Sequence, residues 1–240
     1  MGILNRVSVS LETRRLRRVF STVTPRFFYL LVHKRDALFW SDLTILRVSL
    51  LIGVCILHGC ANVPSPSDRK VQAEVLAQAA GWHAMLIKSP PFQLQAYLPE
   101  FSKQESALTV YIEGDGFAWS SSSTPSADPT PRDPLALKLA LAQTQGNSAY
   151  LGRPCQYVEA EHTGCPQRYW THARFAPEVI AATHEAIHVL KQRFGANRLT
   201  LVGYSGGAAV AALLAAERDD VELLVTVAGN LDHAAWTALH

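Results

Sequence analysis

The apolar positions change their spacing along the chain and so predict a succession of elements. Val71–Ala80 reads as a short helix closed by Gly81. Trp82–Lys88 and Phe92–Tyr97 are strand-like runs on either side of Ser89-Pro90-Pro91, which fits an antiparallel pair. Ala107–Glu113 (ALTVYIE) is an unbroken β-rich run of the buried-strand kind, and it stops at Gly114-Asp115-Gly116. A Ser/Pro-rich loop, Trp119–Pro134, leads to an expected helix over Leu135–Gln143 and a strand over Asn147–Leu151. Pro177–Phe194 is the clearest helix, with proline at a favoured first-turn position and Gly195 just past its end. Arg198–Val202 predicts a strand, Gly206–Arg218 a helix and Val221–Val227 a further apolar strand.

From residue 107 onward, strands alternate with helices. That order predicts an α/β fold, a mostly parallel sheet with helices on both faces. Hydrophobic residues make up 48% of the chain and charged residues 18%, so a sizeable core can be buried. The net charge of +2 is unevenly spread. Residues 1–47 hold nine Lys/Arg against three Asp/Glu, and residues 48–240 hold thirteen against seventeen. The main body is therefore mildly acidic, which argues against nucleic acid as a partner.

The basic head precedes an apolar segment, LRVSLLIGVCILHGCANVPSPS. Its uninterrupted core, Val48–Leu57, is too short to cross a bilayer comfortably and fits the apolar region of a signal peptide. Leu57-His58-Gly59-Cys60 resembles a bacterial lipobox, in which Cys60 is lipidated and becomes the first mature residue, although His58 departs from the usual small residue. A cleaved signal, an uncleaved anchor and a buried core segment are the other readings. The expected organisation is a basic extension over 1–42, a signal peptide over 43–60, a polar tether over 61–70 and a globular domain over 71–240. A start assigned too far upstream would account for the unusual extension. The localisation that follows is the bacterial cell envelope, on a lipid-anchored protein facing the periplasm. There, Cys155 and Cys165, with nine residues between them, can oxidise to a disulfide worth roughly 2–3 kcal/mol. Two free thiols or a metal pair are the alternatives, but no zinc-type spacing supports a metal.

Candidate chemistry centres on Gly203-Tyr204-Ser205-Gly206-Gly207, a G-x-S-x-G pattern between strand LTLV and helix GGAAVAALLAA. Small flanking residues let strand and helix approach closely, and the sharp turn lifts the Ser205 hydroxyl out of the sheet. The Gly206 N–H, at a helix N-terminus, then points at a developing oxyanion. A glycine-rich turn that only packs helix on strand is the competing interpretation.

With YIEGDGFAW, DPTPRDPLAL and YLGRPCQY, the GYSGG elbow gives residues 105–240 a resemblance to the α/β-hydrolase superfamily, and more narrowly to a group of bacterial α/β-hydrolase lipoproteins. The resemblance implies a serine esterase or related hydrolase of acyl bonds in small molecules, with no cofactor. It places a second oxyanion donor on the loop after the third strand, at the N–H of Asp115 or Gly116, where Glu113 replaces the histidine of many relatives. Asp115 carries a charge that would repel an oxyanion, so its side chain is expected to face away and make structural hydrogen bonds. Superfamily order puts an acid and then a histidine after the nucleophile. Asp219, Asp220 and Glu222 sit at the wrong end of the next strand, so Asp232 is the acid candidate. His233 is adjacent to Asp232, and His240 is the final residue, so no convincing histidine base is found in the chain. The superfamily sheet continues for two more strands, so the resemblance implies a sheet lacking its last strands and a serine hydrolase that is a fragment of a longer one, with a non-catalytic envelope lipoprotein or an inactive fragment as the alternative.

One further motif competes. His184-Glu185-Ala186-Ile187-His188 is H-E-x-x-H, the signature of a zinc hydrolase. Val179, Ala186, Ile187, Leu190 and Phe194 form an apolar stripe on the same helix, which puts His184 and His188 on the opposite, solvated side. No metal site is expected.

Overall fold

The computed structural model describes residues 63–103, 105–158, 165–229 and 231–232. The expectations for 1–42 and 43–60, Cys60 included, fall outside these residues, as do those for His233 and His240. The chain divides between Cys60 and Ala61, and everything below concerns the second unit.

The elements are α1 (Pro66–Ala79), β1 (Trp82–Ser89), β2 (Phe92–Pro99), β3 (Ala107–Ile112), α2 (Leu135–Ala142), β4 (Asn147–Leu151), α3 (Pro177–Phe194), β5 (Arg198–Tyr204), α4 (Gly206–Glu217) and β6 (Val221–Val227). A short 3-10 turn, Gln167–Trp170, precedes α3. The sheet-forming runs and the long helix lie where the pattern of apolar residues places them. One boundary differs: α1 begins at Pro66, so the second half of the expected 61–70 tether is helical. The cause is a capping box, in which the Asp68 amide donates to Ser65 Oγ at 3.1 Å and the Ser65 amide to Asp68 Oδ2 at 3.2 Å, with Pro66 in the first turn. Arg69 in that turn is buried and pairs with Asp128 at 3.2 Å, tying the helix to the loop after β3.

The six strands run in the order β1-β2-β4-β3-β5-β6. The pairs β1·β2 and β2·β4 are antiparallel, and β3·β4, β3·β5 and β5·β6 are parallel. The sheet is thus mostly parallel and open. Strand alternation divides its side chains between two cores. Leu94, Leu98, Val110, Ile112, Leu151 and Leu201 face Ile187 and Leu190 of α3 and Val210 and Leu214 of α4. Tyr97, Tyr150 and Tyr157 gather with Ala73 and Ala77 of α1 and Ala136, Leu137 and Ala140 of α2. Helices therefore cover both faces.

Register positions the site. Ile112 lies opposite Gly203 across β3·β5, Ile112 opposite Leu151 across β3·β4, and Tyr204 opposite Val227 across β5·β6. The carboxyl ends of these four parallel strands are level. The segments that leave them, at Glu113, Gly152, Ser205 and Ala228, emerge side by side, at the end where open α/β sheets place their sites.

Candidate active site

Ser205 sits between β5 and α4 with φ 50° and ψ −118°. A side chain with a Cβ rarely takes a positive φ, and such strain persists only where the surroundings impose it. Here they do. The Ser205 amide donates to Val227 O at 2.9 Å, and the Ala208 amide to Ser205 O at 3.0 Å. The flanking glycines are required sterically. A Cβ on Gly203 would stand 2.4 Å from Ala208 Cα, and one on Gly207 would stand 2.3 Å from Glu113 O. The turn is the expected elbow, and its glycines let the strand, the helix and the β3 loop meet at one point.

Gly114 lies directly beside the serine, since a Cβ there would be 3.2 Å from Ser205 Cβ. Its own N–H donates to Glu113 Oε1 at 2.9 Å. The Asp115 and Gly116 amides have no such acceptor among the described hydrogen bonds, and neither has Gly206 N–H in the first turn of α4. Gly116 has φ +65° and its missing Cβ would collide with Pro129 O at 2.1 Å. The loop therefore tolerates only glycine there.

Asp115 differs from expectation. It makes the structural contacts foreseen, with Arg153 at 3.2 Å and with Arg174 at 3.4 Å. It does not face away, however. A Cβ on Gly206 would be 2.1 Å from Asp115 Oδ1, so the carboxylate lies against the elbow and lines the same cavity as Ser205. Two arginines make this position tenable by offsetting a negative charge that would otherwise oppose an oxyanion. Arg153 is buried, and its position after β4 aims it across at the β3 loop. Burial lowers its pKa, and Asp115 acts to restore it.

The Cys155–Cys165 disulfide forms next to this support, with 5.5 Å between Cα atoms. Gln156 in the same turn donates to Gly114 O at 2.9 Å and accepts from the Arg153 amide at 3.0 Å. The Tyr157 amide donates to Thr130 Oγ1 at 2.8 Å. The 153–157 turn is thus a brace behind the 113–116 loop. Sequence reasoning missed this role for Arg153 and Gln156. The signal was an arginine and a glutamine flanking a proline and a cysteine straight after a buried strand.

Glu113 was also missed as a site residue. Its carboxyl is buried at the start of α2. Burial pushes it up to about 7, against hydrogen bonds from the Gly114 amide, the Tyr150 hydroxyl and the Ala136 and Leu137 amides that pull it down. Tyr150 Oη is 3.2 Å from Glu113 Oε2 and 3.2 Å from Tyr157 Oη. Burial raises both tyrosines well above their usual range.

A cavity of about 230 Å³ opens over Ser205, walled by Glu113, Asp115, Phe117, Arg132 and Tyr204. A second, of about 260 Å³, lies on the other side of Asp115 and Gly116, between Trp119, Trp170 and Arg174. Asp232 is exposed and lines neither of them. Its neighbours at 230 and 233–240 lie outside the described residues. Among the described histidines, none lines the Ser205 cavity. His184, Glu185 and His188 are exposed on α3, opposite the buried stripe of Val179, Ala186, Ile187, Leu190 and Phe194, and His188 meets Gln192 at 2.9 Å. The helix uses its zinc-like spacing only as a solvated face. Asp220 is held down at about 2: burial works the other way, but hydrogen bonds from Arg218 and Lys191 outweigh it. It is a structural carboxylate at the far end of β6.

The strand order, the strained serine turn after β5 and the glycine loop after β3 define an open, mostly parallel α/β fold with its candidate site at the carboxyl ends of the parallel strands. No family model matches the chain, and no curated protein does. Among solved structures it is similar to a membrane phospholipase A described as a bacterial virulence factor (18% identical, covering 78% of this chain and 51% of that one, TM-score 0.41). It is similar also to Est1E from Butyrivibrio proteoclasticus (17% identical, 64% of this chain and 54% of that one, TM-score 0.42). A third is an α/β serine hydrolase homologue from Coxiella burnetii (15% identical, 65% and 67%, TM-score 0.41). The chain spans about half the length of the first two.

Proposed function

We propose that the protein is a serine hydrolase acting on an ester or related acyl bond of a small molecule. The observation that carries this reading is Ser205, held at φ 50° on the elbow with its side chain at a cavity rather than in the core. Ser205 Oγ attacks the acyl carbon and its proton passes to an imidazole that the described residues do not place at the cavity. The carbonyl oxygen becomes an oxyanion facing Gly206 N–H and the Asp115 or Gly116 N–H. Collapse expels the alcohol, which takes up the proton, and water then hydrolyses the acyl-enzyme to regenerate the serine. Each step needs only acid–base exchange, and no cofactor takes part. Arg153 and Arg174 keep the Asp115 carboxylate from opposing the oxyanion.

The reading extends to the cell envelope: Cys60 is the lipidated residue, and the polar segment that follows it tethers the domain. Support comes from the lipobox-like Leu57-His58-Gly59-Cys60 and the polar segment after it. Intact mass of membrane-extracted protein tests this part, and any peptide from residues 1–40 in the mature form contradicts it.

Turnover of short-chain p-nitrophenyl esters tests the chemistry. Measurable hydrolysis that disappears in Ser205→Ala supports it. Hydrolysis that survives Ser205→Ala contradicts it.

A further inference from the structure

The charges around the Ser205 cavity do not cancel, and the imbalance names a substrate class. Three carboxylates line the cavity, and each is answered. Asp115 is met by Arg153 and Arg174. Asp133 pairs with Lys138. Glu113 is engaged by the Gly114 amide and by Tyr150. One basic side chain shares the lining, Arg132, and it is exposed. It makes no ion pair and donates no hydrogen bond among the described residues. The other arginines near the site are each committed: Arg69 to Asp128, Arg153 and Arg174 to Asp115. Arg132 is nonetheless held in place. Its guanidinium lies 5.6 Å from the centre of the Phe117 ring, and Phe117 is a wall of the same cavity. Arg69 lies 5.3 Å from that ring too, so a second, buried positive charge stands close by. A guanidinium drawn to an aromatic face and making no hydrogen bond of its own has its N–H fork available to bind carboxylate or phosphate through two parallel hydrogen bonds.

We propose that Arg132 binds the anionic group of the substrate, so that the ester cleaved at Ser205 carries a carboxylate or a phosphate near its scissile bond. This rests on the hydrolase reading for the word ester, while the anion site itself stands on the cavity. Arg132 is a specificity residue. It holds the charged end of the substrate against the Phe117 wall, and an uncharged ester of the same length lacks that contact.

The test is a calorimetric titration of the full chain with glutarate and with phenyl phosphate, with uncharged glutaramide as control. The proposal expects binding of at least one anion, no binding of glutaramide, and weakening by about tenfold or more in Arg132→Gln, the loss of a charge-assisted pair. Arg132→Lys retains part of the affinity. Whichever anion binds more tightly assigns the group as carboxylate or phosphate. Because Arg132 is exposed and unpaired, Arg132→Gln leaves the fold intact, and an unchanged thermal midpoint checks this. Equal affinity in wild type and Arg132→Gln, or no anion binding at all, overturns the proposal. Covalent labelling of Ser205 by a fluorophosphonate, run in parallel, separates the two readings. Arg132-dependent binding without labelling leaves the anion site and removes the hydrolase. Labelling without Arg132-dependent binding does the reverse.

Discussion

The two faces of the sheet are built from different chemistry. One is mainly aliphatic: Leu94, Val110, Ile112 and Leu151 pack on Ile187 and Leu190 of α3 and on Val210 and Leu214 of α4, with Phe92, Tyr169, Trp170 and Phe194 in the same cluster. The other is aromatic and hydroxylated, with Tyr97 and Tyr150 at 5.7 Å between ring centres and Tyr157 edge-on to both. A dry aliphatic layer needs only volume and shape. A buried hydroxyl needs a partner, and for Tyr150 and Tyr157 the tyrosine face supplies one through Glu113 and through each other, whereas the Tyr97 hydroxyl has none among the described residues. The first face holds the sheet together, and the second connects the core to the site.

The comparison breaks most easily on the aliphatic face. Leu190→Ala removes a fully buried side chain between α3 and the sheet and is expected to cost about 2–5 kcal/mol in urea unfolding. A cost near zero would show that α3 is loosely docked. On the tyrosine face, Tyr150→Phe leaves Glu113 without its hydroxyl donor and is expected to cost about 1–3 kcal/mol. The same substitution raises the Glu113 carboxyl further, because a group that pulls it down is gone.

Glu113 also gives the tyrosine face a pH signature that the aliphatic face lacks. Its folded value of about 7 lies above the usual 4.5, so the folded state holds its proton more tightly than the unfolded chain. The stability that it contributes is present below 4.5, declines as pH rises toward about 7, and is level above that. Glu113→Gln is expected to flatten this slope in unfolding measured between pH 4.5 and 8. Asp220 acts in the opposite sense and in another window. Its value of about 2 lies below the usual 3.8, so its contribution is present above 3.8 and lost as pH falls toward 2. The smallest effect is expected at Tyr97. Its hydroxyl is buried with no hydrogen-bond partner among the described residues, so Tyr97→Phe should change stability by no more than about 0.5 kcal/mol or raise it slightly.

The aliphatic face was legible in the sequence because burial on both sides of a strand leaves continuous runs such as ALTVYI and LTLV, and α3 shows its stripe at helical spacing. The elbow was legible for a related reason. Gly203 is forced by sterics against Gly207 and Ala208, which sequence records directly, and Gly207, forced by the backbone of the distant β3 end, is legible through the G-x-S-x-G spacing. The support behind the elbow was not. Arg153, Gln156 and Glu113 act on residues some 38 to 42 positions away or through another helix, and only the strand register brings them level. Asp115 was misjudged in the same way: its orientation depends on two arginines from later loops. The start of α1 was hidden because the capping box lies inside a segment rich in Ser and Pro that reads as a tether. Arg132 sits in the Ser/Pro-rich loop, and its exposure and lack of a partner exist only in three dimensions.

The measurement that bears most directly on the central claim is covalent labelling with a fluorophosphonate, followed by peptide mapping. A hydroxyl on a strained elbow beside free amide donors is predicted to react once per chain, at Ser205, and not at all in Ser205→Ala. Gly206→Ala is predicted to slow the reaction, because its new Cβ would meet Asp115 Oδ1 at 2.1 Å and disturb the amides around the serine. A wild-type protein that is folded and stays unlabelled at Ser205, or one whose label maps elsewhere, would contradict the account.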